Sequence, residues 1–419
     1  MVSHESLFIF ISVLLLAWIG CKCGFNLSIK KKKILLGFLI SILLLPLLYY
    51  KYADFLLNDV SNLKFDTLRD IIIPVGISFY TFQIISFCID TLLRGNAIPK
   101  FIDYFNFCGF FPQIVAGPIE RRDDLLPQMQ NINLTPIKSN YEAGIPFVIL
   151  GLFFKLCLAD NLAVPFDSAY KGDSAYVIWL NNLLFTFRIY FDFAGYGLTA
   201  YGLAKCLGVT LRMNFLSPYT ATNITEFWRR WHTSLTLWFR DYIYFSMGGS
   251  RTKRWALNIL IVFTISGVWH GAGWNFIMWG AFAGIAMVLH RLFRNKGFSL
   301  PSYIGWSLTF CMMVFVWMFF YDTDNALLYQ HINTIFSTDA YNFDVFYSEI
   351  QSNKASFAIA FVFIPLSFLI VLFELFSIKK YGEANPYQIF LSPYACGIMC
   401  FLMVIFRPSI QNSFIYFAF

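Results

Sequence analysis

Charge is what this sequence has least of. Asp, Glu, Lys and Arg make up only 13% of its 419 residues, about half the share found in a soluble domain. Hydrophobic residues fill 58% of the chain, and aromatics alone 20%. Several apolar runs reach the ~20 residues that cross a ~30 Å hydrocarbon core. An ordinary soluble fold is excluded, and an all-α polytopic membrane protein is expected. Histidine is scarce too, with five in the chain.

Other absences narrow the chemistry. The chain has no Walker loop, no strand followed by G-x-G-x-x-G, no H-E-x-x-H and no G-x-S-x-G. Those gaps count against ATP-driven transport, dinucleotide chemistry, zinc hydrolysis and a serine-hydrolase mechanism. Its nine cysteines form no C-x-x-C pair, so neither a metal site nor a disulfide framework is indicated, and the thiols read as small buried hydrophobes. There is no internal repeat. The net charge of +7 sits in short basic clusters at the ends of apolar runs, which fits cytoplasmic loops and gives no sign of nucleic-acid binding. Lysines follow the first apolar run, 7–23, instead of preceding it. That run therefore reads as a retained span with its N-terminus outside, not as a signal peptide.

Roughly ten spans are expected. Runs 7–23 and 34–50 form a hairpin about Lys30–Lys33, followed by 69–93, 143–163, 176–207, a two-helix unit over 251–294, then 303–321, 356–377 and 387–406. Residues 101–116 are broken by Gly109 and Pro112 and suit a re-entrant or surface segment. Residues 225–247 mix aromatics with Arg229, Arg230, Arg240 and Asp241, which suits an interfacial or cavity-lining helix. Residues 322–354 form the longest polar segment. No boundary marks a separate soluble domain, so residues 1–419 read as one integral-membrane domain.

The chain is organised around residues 223–289. Basic residues stand at both ends of its second half, Arg251, Lys253 and Arg254 before and Arg291, Arg294 and Lys296 after. The apolar run between them would measure ~54 Å as one helix, far beyond a hydrocarbon core. Folding back at the single break, 267–273, puts both basic ends on one side, the cytoplasmic one. His270 then lies about 22 Å from that side. An ionisable residue at that depth reads as functional, and the glycines beside it allow irregular backbone where protein or a water-filled cavity surrounds it. A neutral imidazole there can take a proton from a hydroxyl and release it later. The bland alternative is a histidine that bonds a carbonyl to hold the break.

Four further positions stand out. His232 lies in the run EFWRRWH, on one helix face with Trp228 if that run is helical. It is either a second polar group at the same cavity or an interface histidine in an aromatic belt. Arg188 and Asp192, spaced i, i+4, are expected to pair on one helix face, and Asp160 lies in a neighbouring apolar run. These charges either hold helices in register or bind an anionic group of a substrate.

The stretches FFPQIVAGPIERRDDLLPQ (110–128), GLFFKLCLADNLA (151–163), FRIYFDFAGYG (187–197), NFLSPYTATNITEFWRRWHTSLTLWFRDYIYFSMGGSR (214–251) and GVWHGAGWNFIMWG (267–280) resemble the bacterial membrane-bound O-acyltransferase (MBOAT) family. Within it they are most similar to the alginate O-acetyltransferase membrane-subunit branch. The resemblance covers about 73–321. It implies a ring of helices around a central tunnel, with His270 of the W-H-G motif as the catalytic residue and His232 as a second active-site position. Trp269, Trp231, Arg229, Arg230, Arg188 and Asp192 are candidates for binding the substrate or acyl donor. The resemblance further implies a bacterial inner-membrane enzyme with no permanently bound cofactor and no metal. Acetyl-CoA or another acyl thioester would arrive from the basic face, where Arg229, Arg230, Arg251 and Arg254 could meet its phosphates. The acceptor would be a polysaccharide or peptidoglycan hydroxyl outside, reached through an extracytoplasmic transferase partner.

Two departures from that family stand in the chain. A further histidine common in the family is missing within Trp279–Gly284, and an arginine is missing within Phe319–Asp322. D-alanyl transfer to teichoic acid is the alternative enzymatic reading. A glycan or acyl-carrier transporter without chemistry is the alternative class, although such proteins tend to show repeat symmetry that is lacking here.

Overall fold

Backbone in lipid has no water to bond, so helices are expected throughout. The computed structural model describes residues 4–61, 63, 72–132, 137–169, 172, 174–408 and 412–415, and these form helices with no strand among them. In chain order the α-helices are α1 His4–Gly24, α2 Ile29–Leu47, α3 Ile77–Leu92, α4 Phe101–Gly109, α5 Arg122–Gln130, α6 Lys138–Leu152, α7 Asp160–Ala169, α8 Ala175–Cys206 and α9 Ile224–Arg230. They continue with α10 Thr233–Phe239, α11 Trp255–His270, α12 Trp274–Asn295, α13 Ser302–Val316, α14 Met318–Tyr321, α15 Asn325–Phe336, α16 Phe343–Ser352, α17 Lys354–Tyr381 and α18 Pro393–Ile405.

Six helical stretches are long and apolar enough to cross a membrane: His4–Gly24, Ile29–Tyr52, Lys138–Ser168, Trp274–Asn295, Ser302–Tyr321 and Lys354–Tyr381. Shorter apolar helices are Ile77–Leu92, Trp255–His270 and Pro393–Ile405. The expected set of roughly ten spans resolves into these, together with the long buried α8. The protein is therefore a multi-pass membrane protein.

The chain divides into two compact units. The first holds Met1–Gly144 and Leu203–Arg212, where α1, α2 and α3 pack on one another. Helix α3 is buried almost all round, with Ile84, Phe87 and Cys88 fully enclosed. It starts later than the expected 69–93: positions 69–71 lie outside the described residues, and Gly76 begins the helix at φ 75°. A Cβ there would meet the Ile114 carbonyl oxygen at 2.3 Å, so conformation and space both require glycine. The lysines expected to cap the first hairpin instead occupy the first turn of α2, where their stems can lie along apolar surface while their heads reach water. The segment 101–116 is the short α4 followed by turns. Beyond it, Glu120 accepts the Arg212 backbone N–H at 2.6 Å.

The second unit holds Ile145–Gly202 and Met213–Phe419. Its centre is α8, whose Phe187, Ile189, Tyr190, Phe191 and Phe193 are fully buried. A helix that is apolar all round belongs inside a larger bundle. The expected span 143–163 is interrupted by a π-helical stretch, Phe153–Ala159, between α6 and α7, and such insertions re-aim side chains. The polar segment 322–354 folds into α15 and α16 instead of a plain loop.

The two-helix unit forms as expected, with α11 and α12 packed along each other and joined by Gly271–Gly273. Close packing is possible because the crossing points are glycines. A Cβ on Gly267 would meet the Phe276 carbonyl oxygen at 2.2 Å, and one on Gly280 the Phe263 carbonyl oxygen at 2.4 Å.

Candidate active site

His270 is the last residue of α11, and the chain leaves it through the extended Gly271. The start of α12 is fixed by Asn275, whose side-chain N–H donates to the Phe319 carbonyl at 3.1 Å. This brings the end of α14 onto the hairpin apex. The His270 ring is enclosed by Trp269 at 4.9 Å, Trp279 at 5.0 Å and Phe320 at 5.3 Å between ring centroids. It is buried at 4% exposure. Aromatic side chains surround His270 where the glycines let the two helices close on each other.

His232 is not on a helix. Helix α9 ends at Arg230, Trp231 is extended, and His232 takes a left-handed conformation at φ 43°, ψ 55°. The single helix expected over 225–247 is thus two short helices, α9 and α10, followed by a π-helical turn at Arg240–Tyr244. The preceding segment holds the corner on both sides. The Leu216 N–H donates to the Arg230 carbonyl at 3.0 Å, and the Thr233 N–H donates to the Asn214 carbonyl at 2.9 Å. His232 then caps α10, its Nδ1 accepting the Leu235 N–H at 3.3 Å. A ring nitrogen that accepts carries no proton, so the imidazole is the neutral tautomer with its hydrogen on Nε2. A non-glycine residue in this conformation is strained, and such strain gathers at functional sites.

Trp269 joins the two histidines. Its ring stands perpendicular to that of His232, 6.1 Å away, and packs edge-on to His270. Around them Trp231 lies 4.8 Å from Trp317, and Trp317 stacks 5.9 Å from Trp279. The result is an aromatic enclosure holding two imidazoles. Electrostatic and hydrogen-bonding effects are stronger in such surroundings than in water. A small cleft, roomy enough for about one water, lies beside it, lined by Ala194, Gly197, Leu198, Met213, Asn214 and Phe215. Its wall shares Phe215 with the packing around His232.

The remaining candidates are placed differently from the sequence expectation. Arg188 and Asp192 do not pair with each other. Arg188 reaches Asp167 at 3.0 Å, and Asp192 takes Lys155 Nζ at 2.6 Å while its other oxygen accepts the Ile415 N–H at 2.7 Å. The π-helical stretch turns Lys155 inward, and there it also meets Asp160 at 2.8 Å and the Asn412 carbonyl at 3.0 Å. Three acceptors match the three ammonium protons, and both Asp192 oxygens are occupied. Arg229 and Arg230 both contact Glu383, at 2.9 and 3.1 Å, and Arg230 also holds Glu226 at 2.5 Å.

Two buried polar groups near the enclosure escaped the sequence reading. Glu374, fully buried in α17, is bonded by the Tyr190 hydroxyl at 2.7 Å, and Tyr190 lies 3.2 Å from the Tyr387 hydroxyl. Asp322 and His331 pair at 2.8 Å, both buried. A lone carboxylate inside the apolar run 356–377 was the visible signal for the first. The second needed the fold, because Asp322 and His331 lie in a segment that reads as polar loop.

Comparison with known proteins identifies the family. The profile of "MBOAT, membrane-bound O-acyltransferase family" matches residues 88–329. The chain is 35% identical over 329 residues to "Peptidoglycan O-acetyltransferase" of Helicobacter pylori, covering 70% of this chain and 62% of that protein. It is 34% identical over 340 residues to "Probable alginate O-acetylase" of Pseudomonas aeruginosa, covering 76% and 64%. With "Teichoic acid D-alanyltransferase" of Bacillus subtilis it shares 32% over 251 residues, covering 54% and 62%. The matches thus span under two thirds of these relatives' own length.

Proposed function

The chain belongs to the membrane-bound O-acyltransferase family, and on that premise we propose that it moves an acetyl group from acetyl-CoA to hydroxyls of a cell-envelope polysaccharide or peptidoglycan. The observation that carries this reading is the placement of His232 and His270 on either side of Trp269 in a buried aromatic enclosure. In the proposed reaction an acceptor hydroxyl attacks the thioester carbonyl while His270 takes its proton. The tetrahedral intermediate expels the CoA thiolate, and His270 returns the proton to that sulfur, so no net proton is gained or lost. General-base help of this kind is worth about 10²–10⁴-fold. His232, with its hydrogen on Nε2, is suited to donate a bond to the developing oxyanion, a contribution of about 10²-fold or more in comparable sites.

The bacterial inner membrane is the proposed location, with the donor entering from the basic cytoplasmic side. An extracytoplasmic transferase is the proposed partner that places the acetyl group on polymer. Labelled acetyl-CoA added to membranes holding wild type or His270→Ala at matched protein levels tests the reading. Label should reach envelope polymer with wild type and fall at least ~10²-fold in the variant. Unaltered transfer by His270→Ala would make His270 structural and sink the proposal. A parallel arm with D-alanine as its activated thioester decides between acetyl and D-alanyl transfer, since the chain is similar to enzymes with both printed names.

A further inference from the structure

Glu383 bridges the two arginines of α9. Its Oε2 lies 2.9 Å from Arg229 Nη2, and its Oε1 lies 3.1 Å from Arg230 Nη2. One carboxylate spread over two neighbouring guanidinium groups occupies them as one phosphate would. The two arginines are held unequally. Arg230 is buried and has permanent partners, Glu226 at 2.5 Å and the Thr220 hydroxyl at 2.5 Å. Arg229 is 62% exposed in its side chain, and Glu383 is 56% exposed.

The position of this trio follows from its neighbours. Thr225, at the start of α9, lies 2.9 Å from His290 Nδ1 near the basic end of α12. One turn on, Trp228 packs 5.6 Å from Trp279, which also packs on His270. Helix α9 therefore runs from the basic end of α12 towards the aromatic enclosure, and Arg229 and Arg230 stand immediately before Trp231 and His232 in the chain. Glu383 comes from a separate segment. It follows Lys379 and Lys380 at the end of α17 and is carried by Gly382 at φ 88°, a left-handed turn that glycine adopts without strain.

We propose that Glu383 is a latch on an anion-binding site formed by Arg229 and Arg230, and that the phosphate of a phosphopantetheinyl thioester displaces it when the acyl donor enters. This deepens the donor reading given above and rests on it for the identity of the ligand. Exposed ion pairs hold weakly, so a carboxylate on a short turn yields to a more highly charged phosphate. Arg230 keeps Glu226 throughout and stays ordered, while Arg229 is the guanidinium that changes partner. With the latch open, Arg229 faces the incoming phosphate without an opposing charge from Glu383. Glu383 thus raises the donor concentration needed for entry and keeps the arginine pair ordered in the meantime.

CoA binding, measured calorimetrically on purified full-length protein in nanodiscs, tests the latch without needing turnover. Glu383→Gln should bind CoA about fivefold more tightly than wild type, as expected for release of the exposed pair with Arg229 and the half-exposed pair with Arg230. Arg229→Gln should weaken binding and erase the gain in the double variant. Pantetheine, which lacks phosphate, should be indifferent to all three changes. The source of the phosphate is decided by comparing CoA with free phosphopantetheine. Equal responses place the shared pantetheine phosphate at the site, whereas a response to CoA alone assigns it to the nucleotide phosphates. Unchanged or weaker CoA binding by Glu383→Gln, at an unaltered thermal midpoint, overturns the latch. Tighter CoA binding without acetyl transfer by wild type would leave the latch standing and sink the transfer reading instead.

Discussion

Lys155 Nζ lies 2.6 Å from Asp192 in the interior of the second unit. The cluster it belongs to also ties down the 412–415 segment, through the Asn412 carbonyl and the Ile415 N–H. Removing one partner leaves a buried uncompensated charge, which costs about 3–5 kcal/mol. Lys155→Met should therefore lower the thermal midpoint in detergent sharply. Lys155→Met combined with Asp160→Asn and Asp192→Asn should recover part of that loss. Arg188→Ala, whose partner Asp167 is 56% exposed, should change stability by no more than about 1 kcal/mol. Equal losses from Lys155→Met and Arg188→Ala would show that the cluster has no special weight.

His232 separates stability from chemistry. Its backbone is left-handed and its side chain caps α10. Asparagine tolerates that conformation and is among the best capping residues. His232→Asn should therefore melt within about 1 kcal/mol of wild type, while His232→Ala loses the cap, a cost of about 0.5–2 kcal/mol. Both should lose acetyl transfer if the imidazole acts chemically. Full activity in His232→Asn would reduce His232 to a cap.

The glycine crossing of the hairpin gives a steric prediction. Gly280→Ala puts a methyl 2.4 Å from the Phe263 carbonyl oxygen, and backbone cannot step aside as a side chain can. The helices must part, at a cost of about 1–3 kcal/mol. Since His270 sits at the end of one of them, acetyl transfer should fall as well. Gly37→Ala on α2, where a Cβ meets nothing within 4 Å, is the matched control and should be neutral or slightly stabilising. Parallel melting curves for the two variants would refute close backbone contact at the crossing.

Glu120, in the connection between α4 and α5, predicts a pH dependence of the first unit. Burial pushes its carboxyl up from 4.5 to about 7, against the lowering effect of the Arg212 N–H and guanidinium. Between those two values the unfolded chain gives up a proton that the folded chain keeps. Stability is therefore highest below 4.5, falls as pH rises towards about 7 and is level beyond it. Summed over that window the effect is on the order of 3 kcal/mol. Glu120→Gln can still accept the Arg212 N–H without the cost of ionising. It should raise the thermal midpoint near pH ~8 and leave it unchanged near pH ~4.5. A midpoint raised equally at both would point to packing and not to ionisation.

The sequence by itself determined that this chain lives in a membrane, that it is helical, and that 251–294 folds back at the W-H-G break. Those conclusions follow from length and polarity, because about 36 apolar residues between two basic ends cannot stay in one hydrocarbon core as a single helix. It also singled out His270 and His232, since ionisable groups in apolar runs are rare. Only the tertiary structure decided their relation. The left-handed corner at His232 is set by bonds to Asn214 and Leu216, residues outside the run that periodicity reads as one helix. Ion pairs were the least legible feature. Arg188 and Asp192 stand at ideal helical spacing, yet Lys155 takes Asp192, because a π-helical stretch and the distant 412–415 segment supply better geometry than a neighbour on the same helix. Spacing along a chain shows which charges are able to meet. The packing of distant segments selects which of them do.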